Sequence, residues 1–338
     1  MARMTIKTLC PILLLFASGL AFGQSKTGTT IGQFLLIEPS ARAAAMGNAG
    51  VATSEEIVSA YYNPGAIGMQ TGYGLQLTHS EWLAGISYDY VGALIQAGDA
   101  GNFYLSATAL NSGEIAVRTV GQPLGTGERY TVADLALGIG FGRQLTDRFS
   151  LGVQLNYVQE TIWHSSLATG GLNVGTIYTL SGSGMRIAAS VSNFGLQSGY
   201  SGRDLRIQYD LDPDRYGDNS SLPGEVHTLQ YSLPVMFRVG MYWPLRLGEN
   251  NRVNIAVDAF HPNDNTESVS FGAEWSVADF LFLRGGYQNL FLQDSEVGLT
   301  LGAGLDYSYG DLSLRIDYAW SDHGRLDNSQ RFTLGVRF

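Results

Sequence analysis

The chain has 338 residues, 20 basic against 30 acidic, for a formal net charge of −10. Only 15% of residues are charged, yet hydrophobic residues reach an ordinary 45% and glycine numbers 43. That combination disfavours a soluble enzyme and excludes a bundle of membrane helices, each of which needs about 20 consecutive apolar residues; with no basic run, it gives no support for nucleic acid as a partner.

Taken in chain order, Arg3 and Lys7 precede an apolar run that starts at Leu9, and Ala21-Phe22-Gly23 sets small residues before Gln24. Residues 1–23 therefore read as a secretory signal peptide. Cys10, the single cysteine, lies inside it, so the exported chain is expected to lack disulfides and thiolate chemistry.

Residues 24–71 show no strand alternation. Ile31 to Ile37 is a short apolar run, followed by Glu38-Pro39-Ser40-Ala41-Arg42 and a small-residue stretch holding Met46-Gly47. Ser54 is placed to cap a short helix with Glu55 and Glu56 in its first turn. Asn63 precedes Pro64, which pushes it out of the helical region and ends that helix near Tyr61-Tyr62.

From about Tyr73 onward the dominant pattern is period-2 alternation. Arg331-Phe332-Thr333-Leu334-Gly335-Val336-Arg337-Phe338 is its clearest instance. Strands are expected over 72–80, 82–96, 101–112, 131–145, 148–163, 170–180, 184–194, 232–247, 251–261, 267–277, 280–289, 295–308, 311–322 and 328–338. These about fourteen segments suit tilted membrane crossings of about 9–11 residues. Even-numbered junctions are all short, such as Thr146-Asp147 and Ala278-Asp279, whereas 113–130 and 195–231 fall among the odd ones. Short turns at one end and long loops at the other indicate an all-β fold, a transmembrane antiparallel β-barrel over 72–338. The lumen is then the place where the partly helical 24–71 segment buries itself, as a plug or hatch. Trp82, Tyr88, Tyr90, Tyr157, Trp163, Tyr242, Trp243, Trp275, Tyr287, Tyr307 and Trp320 fall near strand ends and are expected in two interfacial girdles.

Enzymatic constellations are weak. The five histidines show no metal spacing, no G-x-S-x-G elbow is present, and no cofactor is implied. The loop 195–231 is the most distinctive external feature, with Tyr200, Asp204, Tyr209, Asp210, Asp212, Asp214, Tyr216 and Asp218. Asp210-x-Asp212-x-Asp214 opens like a calcium loop, but Arg215 stands where glycine is required, which excludes an EF-hand. A looser calcium site, a solvated acidic loop and a protein-binding surface all stay open.

The motifs Phe34-Leu35, Pro39-Ser40-Ala41-Arg42, Met46-Gly47, Gly50-Val51-Ala52-Thr53 and Tyr62-Asn63-Pro64 resemble the N-terminal signature of the PorV/PorQ family, and the chain looks closer to PorV. Gly65 departs from the alanine usual there. The stretches SGEIAVRT and PLGTGERY look similar too. The resemblance implies a fourteen-stranded barrel of the fatty-acid-transporter-like (FadL) group, integral to the outer membrane of a Gram-negative bacterium, with both termini periplasmic. It also implies a type IX secretion shuttle that binds C-terminal signal domains of exported proteins and delivers them for surface attachment. Its partners would be outer-membrane lipid, cargo with C-terminal sorting domains and other secretion components. Phe338 is similar to the terminal signal read during barrel assembly. The alternative is a FadL-type channel for a hydrophobic small-molecule ligand.

Overall fold

Successive side chains of a strand point to opposite faces, and in the computed structural model that rule organises nearly everything after Tyr73. The structure describes residues 26–338 other than 216, 218–220 and 293–294. The expected signal peptide lies outside these residues. The long strands are β1 Gly74–Glu81, β2 Ser87–Gln96, β3 Asn102–Asn111, β4 Val132–Thr146, β5 Phe149–Ile162, β6 Ser165–Thr179 and β7 Arg186–Gly195. They continue with β8 Met236–Arg246, β9 Asn251–Pro262, β10 Ser268–Val277, β11 Leu281–Leu290, β12 Leu299–Tyr309, β13 Leu312–Asp322 and β14 Asn328–Arg337. Each pairs antiparallel with its neighbours in sequence, and β1 pairs with β14 from Gly74↔Arg337 to Glu81↔Gln330. The result is a closed 14-strand barrel with no open edge.

The alternation separates two surfaces. On β1, Gly74, Gln76, Thr78 and Ser80 are buried, while Leu75, Leu77, His79 and Glu81 face outward. Leu283, Leu301, Leu305, Phe332 and Leu334 are among the apolar side chains on the outer wall, the band a bilayer would cover. The inner face mixes small and polar side chains with buried aromatic ones such as Tyr88, Tyr104 and Phe282, and residues 31–70 fill the space it encloses.

Several elements differ from the sequence expectation. β2 starts at Ser87 instead of 82, because Trp82–Ile86 closes a turn in which Ala84 has φ 58° and the Trp82 N–H donates to the Ile86 carbonyl at 2.9 Å. β6 starts at Ser165 instead of 170, so the expected loop 164–169 shrinks to Trp163-His164, with Trp163 at φ 54°. The two long connections, 112–131 and 196–235, lie at the same end of the barrel, as expected, but the remaining ones are short at both ends, two to eight residues, so length separates the ends only through these two. Tyr88, Tyr90 and Tyr242 are 0%, 3% and 2% exposed and lie in the lumen, not in a girdle. Trp163, Trp243, Trp275, Tyr287 and Tyr307 are exposed. The helix near Ser54 is shorter than expected, Ser59–Tyr62, and Ser54 does not cap it. Its end is as expected: Asn63 is extended, and its Oδ1 accepts the Gly65 N–H at 2.8 Å to open the 3-10 turn Pro64–Met69.

Candidate functional site

The plug descends through the lumen in short turns, each fixed to the wall by its own polar groups. Phe34 and Leu35 sit in the 3-10 turn Gln33–Leu36 and pack with Tyr88, Tyr90 and Val158. Two tyrosine hydroxyls satisfy the backbone of this leg: Tyr61 donates to the Leu35 carbonyl at 2.6 Å and Tyr88 to that of Ile37 at 3.2 Å. Pro39 is buried and leads into Ser40, which caps helix Ala41–Ala45 by accepting the Ala43 N–H at 3.0 Å. The Ala41 N–H, left free at the helix start, donates to Thr333 Oγ1 on β14 at 3.1 Å.

Arg42 is the anchor. Its guanidinium meets Glu274 of β10 through Nε to Oε2 and Nη2 to Oε1, both 2.8 Å, and Glu55 at 3.2 Å. Glu274 also takes Arg284 Nε at 2.6 Å and Asn254 Nδ2 at 2.8 Å. Arg284 continues to Asp317 at 2.7 Å, which accepts Arg315 Nε at 2.8 Å. On the other side Glu55 pairs with Arg186, whose guanidinium lies 4.2 Å over the Tyr242 ring. Charges taken this far from water are tolerable only when paired and hydrogen-bonded, and here they join the plug to β7, β10, β11 and β13.

Wall glycines give the plug room. Met46-Gly47 rests against Gly272 of β10 and Gly286 of β11. Gly47 has φ 66°, and a Cβ there would lie 2.6 Å from the Phe271 carbonyl oxygen, so both conformation and space demand glycine. Gly152 and Gly175 do the same for Pro64 and Asn63, whose Nδ2 donates to the Val51 carbonyl at 2.9 Å and that of Thr176 at 3.0 Å. A void lined by Tyr61, Tyr90, Gln154 and Arg238 measures about 30 Å³, room for about one water.

Above the plug, at the long-loop end, a cavity of about 530 Å³ lies between the 33–38 leg and the rim. Phe34, Ile37, Trp82 and Leu110 supply apolar walls, with Glu38, Asp134, Glu160 and Glu296 among them. Glu38 is met by Arg331 at 3.3 Å and Gln288 at 2.7 Å. Arg325 donates to Glu296 from Nε at 2.7 Å and from its backbone at 3.2 Å, and these bonds hold the Glu296 carboxyl below the usual carboxylate range.

The acidic loop does not act as one cluster. Tyr200 turns inward and donates to Glu160 Oε2 at 3.0 Å, and Asp204 accepts the His164 backbone N–H at 3.0 Å. Tyr209, Asp212 and Asp214 are exposed, and Asp210 Oδ1 caps the Asp212 N–H at 3.0 Å. Tyr216 and Asp218 lie outside the described residues, among which no group of three acidic or histidine side chains is placed to hold a metal ion. Phe338 exchanges backbone hydrogen bonds of 2.8 and 2.9 Å with Tyr73, and their rings stack at 6.2 Å. Sequence reasoning missed Glu274, Arg284, Arg315 and Asp317. Charged residues inside otherwise apolar strands, such as Arg284 after Leu281-Phe282-Leu283, were the available signal.

Residues 21–177 match the family model described as Type IX secretion system protein PorV. A comparison with curated sequences finds no match. Among solved structures, the Pseudomonas putida toluene transporter TodX aligns with a TM-score of 0.54 and 12% identity, over 89% of this chain and 97% of its own. The Ralstonia pickettii toluene transporter TbuX gives 0.53 and 14%, over 89% and 98%. A Pseudomonas aeruginosa FadL homologue gives 0.52 and 10%, over 94% and 99%. At such identities these likenesses establish the fold alone. With the family match, they uphold the resemblance carried by the Phe34-to-Pro64 motifs.

Proposed function

From a chain whose residues 21–177 match the PorV family model on a FadL-type outer-membrane barrel, we propose a shuttle role in type IX secretion. In this role the barrel binds the C-terminal signal domains of exported proteins and passes them on for surface attachment. The observation that carries it is the fixed plug: Arg42, Glu274 and the wall glycines hold residues 31–70 across the lumen. A barrel so filled works through its surfaces, and the long loops 112–131 and 196–235 offer the area for capture. No catalytic step is assigned to it.

The same reading places residues 1–23 as a removed leader, 24–71 as the plug and 72–338 as the barrel. Both termini then lie in the periplasm, beside the short turns, and the long loops face outside. Phe338 serves as the assembly signal, and exposed Tyr209, Asp212 and Asp214 belong to the cargo-facing loop. A channel for hydrophobic molecules would require the plug to leave its glycine contacts.

Affinity recovery of the tagged protein from native outer membranes tests the proposal. Co-recovery of proteins with C-terminal sorting domains, or of a larger translocon, is the expected result. Bound lipid with no protein partner would overturn it.

A further inference from the structure

The mouth cavity has a charge imbalance that its apolar walls make costly. Asp134 of β4 and Glu160 of β5 are direct register partners, and both face the lumen side of the wall. Side chains paired in this way stand about 5 Å apart, and like charges so placed repel. Glu160 is 8% exposed. It accepts the Gly32 N–H at 2.6 Å and the Tyr200 hydroxyl at 3.0 Å, both neutral donors. Among the described residues neither carboxylate forms an ion pair, whereas Glu38 and Glu296 at the same cavity each have an arginine. Phe34, Ile37, Trp82 and Leu110 line the space around the pair.

We propose that this cavity is a binding site for an apolar group carrying a positive charge, an ammonium or guanidinium seated between Asp134 and Glu160 with its apolar body against Phe34 and Trp82. A volume of about 530 Å³ accommodates a basic side chain with an apolar neighbour. Low-polarity walls strengthen the attraction relative to water. An anionic amphiphile meets two carboxylates there and is rejected. The preference belongs to the cavity itself and goes beyond the secretion reading. A lysine or arginine in an extended polypeptide and a free organic cation share the chemistry.

The test uses the full mature chain in lipid nanodiscs at low salt, titrated calorimetrically. The probes are acetyl-Leu-Lys-Leu-amide, its Glu and norleucine counterparts, and phenethylammonium. The Lys peptide is expected to bind at least about tenfold more tightly than the Glu peptide, a margin that shrinks as salt rises. Asp134→Asn should lower Lys-peptide affinity about tenfold and leave norleucine binding unchanged; among the described residues the Asp134 side chain forms no hydrogen bond whose loss would disturb folding. Tighter binding of the Lys peptide than of phenethylammonium identifies a polypeptide source, and the reverse order a free cation; both support the site. Equal or tighter binding of the Glu peptide, or a preference that survives both Asp134→Asn and Glu160→Gln, overturns it. Cargo recovered from membranes together with no charge preference here would sink this inference and leave the secretion reading standing.

Discussion

Arg42 and Glu274 stand 232 residues apart in sequence and meet through two hydrogen bonds of 2.8 Å, with side-chain exposures of 1% and 2%. This two-point contact ties the plug to the wall. Truncating one member of such a pair leaves a buried charge short of partners, although Arg284 still contacts Glu274. Arg42→Ala should therefore destabilise the plugged state by about 3 kcal/mol. Arg42→Lys should recover only part, since an ammonium cannot fork onto both oxygens. Hydrogen exchange of amides 41–52 is the readout; unchanged protection in Arg42→Ala would refute the anchor.

Gly47→Ala should fail for two reasons that act together, the left-handed backbone and the nearby carbonyls of Phe271 and Tyr287. A loss of about 2 kcal/mol or more is expected, seen as a lower temperature for the heat-induced mobility shift of the barrel. Gly121→Ala is the control, because a Cβ there meets nothing within 4 Å and the backbone is ordinary. Equal melting of the two variants would contradict the packing described.

The Glu296–Arg325 contact predicts a pH dependence at the rim. Because pairing lowers the carboxyl in the folded protein, the contact is complete at neutral pH and is lost as pH falls through that lowered value, below the usual 4.5. A spin label in the turn 323–327 should be immobile at pH 7 and mobile in strong acid. Glu296→Gln should mobilise it at both. Immobility of the Gln variant at pH 7 would rule out the contact as the restraint.

Phe338→Ser keeps the backbone bonds to Tyr73 but removes the stacked ring. If Phe338 is the assembly signal, the folded fraction in the outer membrane should drop several-fold, while barrels refolded in detergent melt within a few degrees of wild type. Equal loss in both settings would point to stability instead.

The strands were legible because a wall between two environments imposes period 2. What alternation cannot say is which phase meets lipid. Tyr88, Tyr90 and Tyr242 looked like interfacial aromatics, but the plug gives the lumen its own apolar surface. Ser165-Ser166-Leu167-Ala168-Thr169 looked like loop because its apolar Leu167 points inward, the reverse of its neighbours. Trp82 and Leu83 extended the apparent strand across a turn. Within the site, the Pro39-to-Arg42 and Asn63-Pro64 motifs were visible as patterns. The partners of Arg42 were not, since no local spacing encodes a contact across more than half the chain.

The Ala41–Thr333 hydrogen bond ties the plug to the strand pair that closes the barrel. Thr333 also bonds Thr78 of β1 at 2.8 Å across the closing strand pair. The last strand made thus touches both the first strand and the plug, the earliest described segment of the chain. A cylinder sealed empty would trap Glu274, Arg284 and a set of vacant glycine hollows, with the plug shut outside. Through the single hydroxyl of Thr333, the seam of the wall and the seated plug share one hydrogen-bonded point.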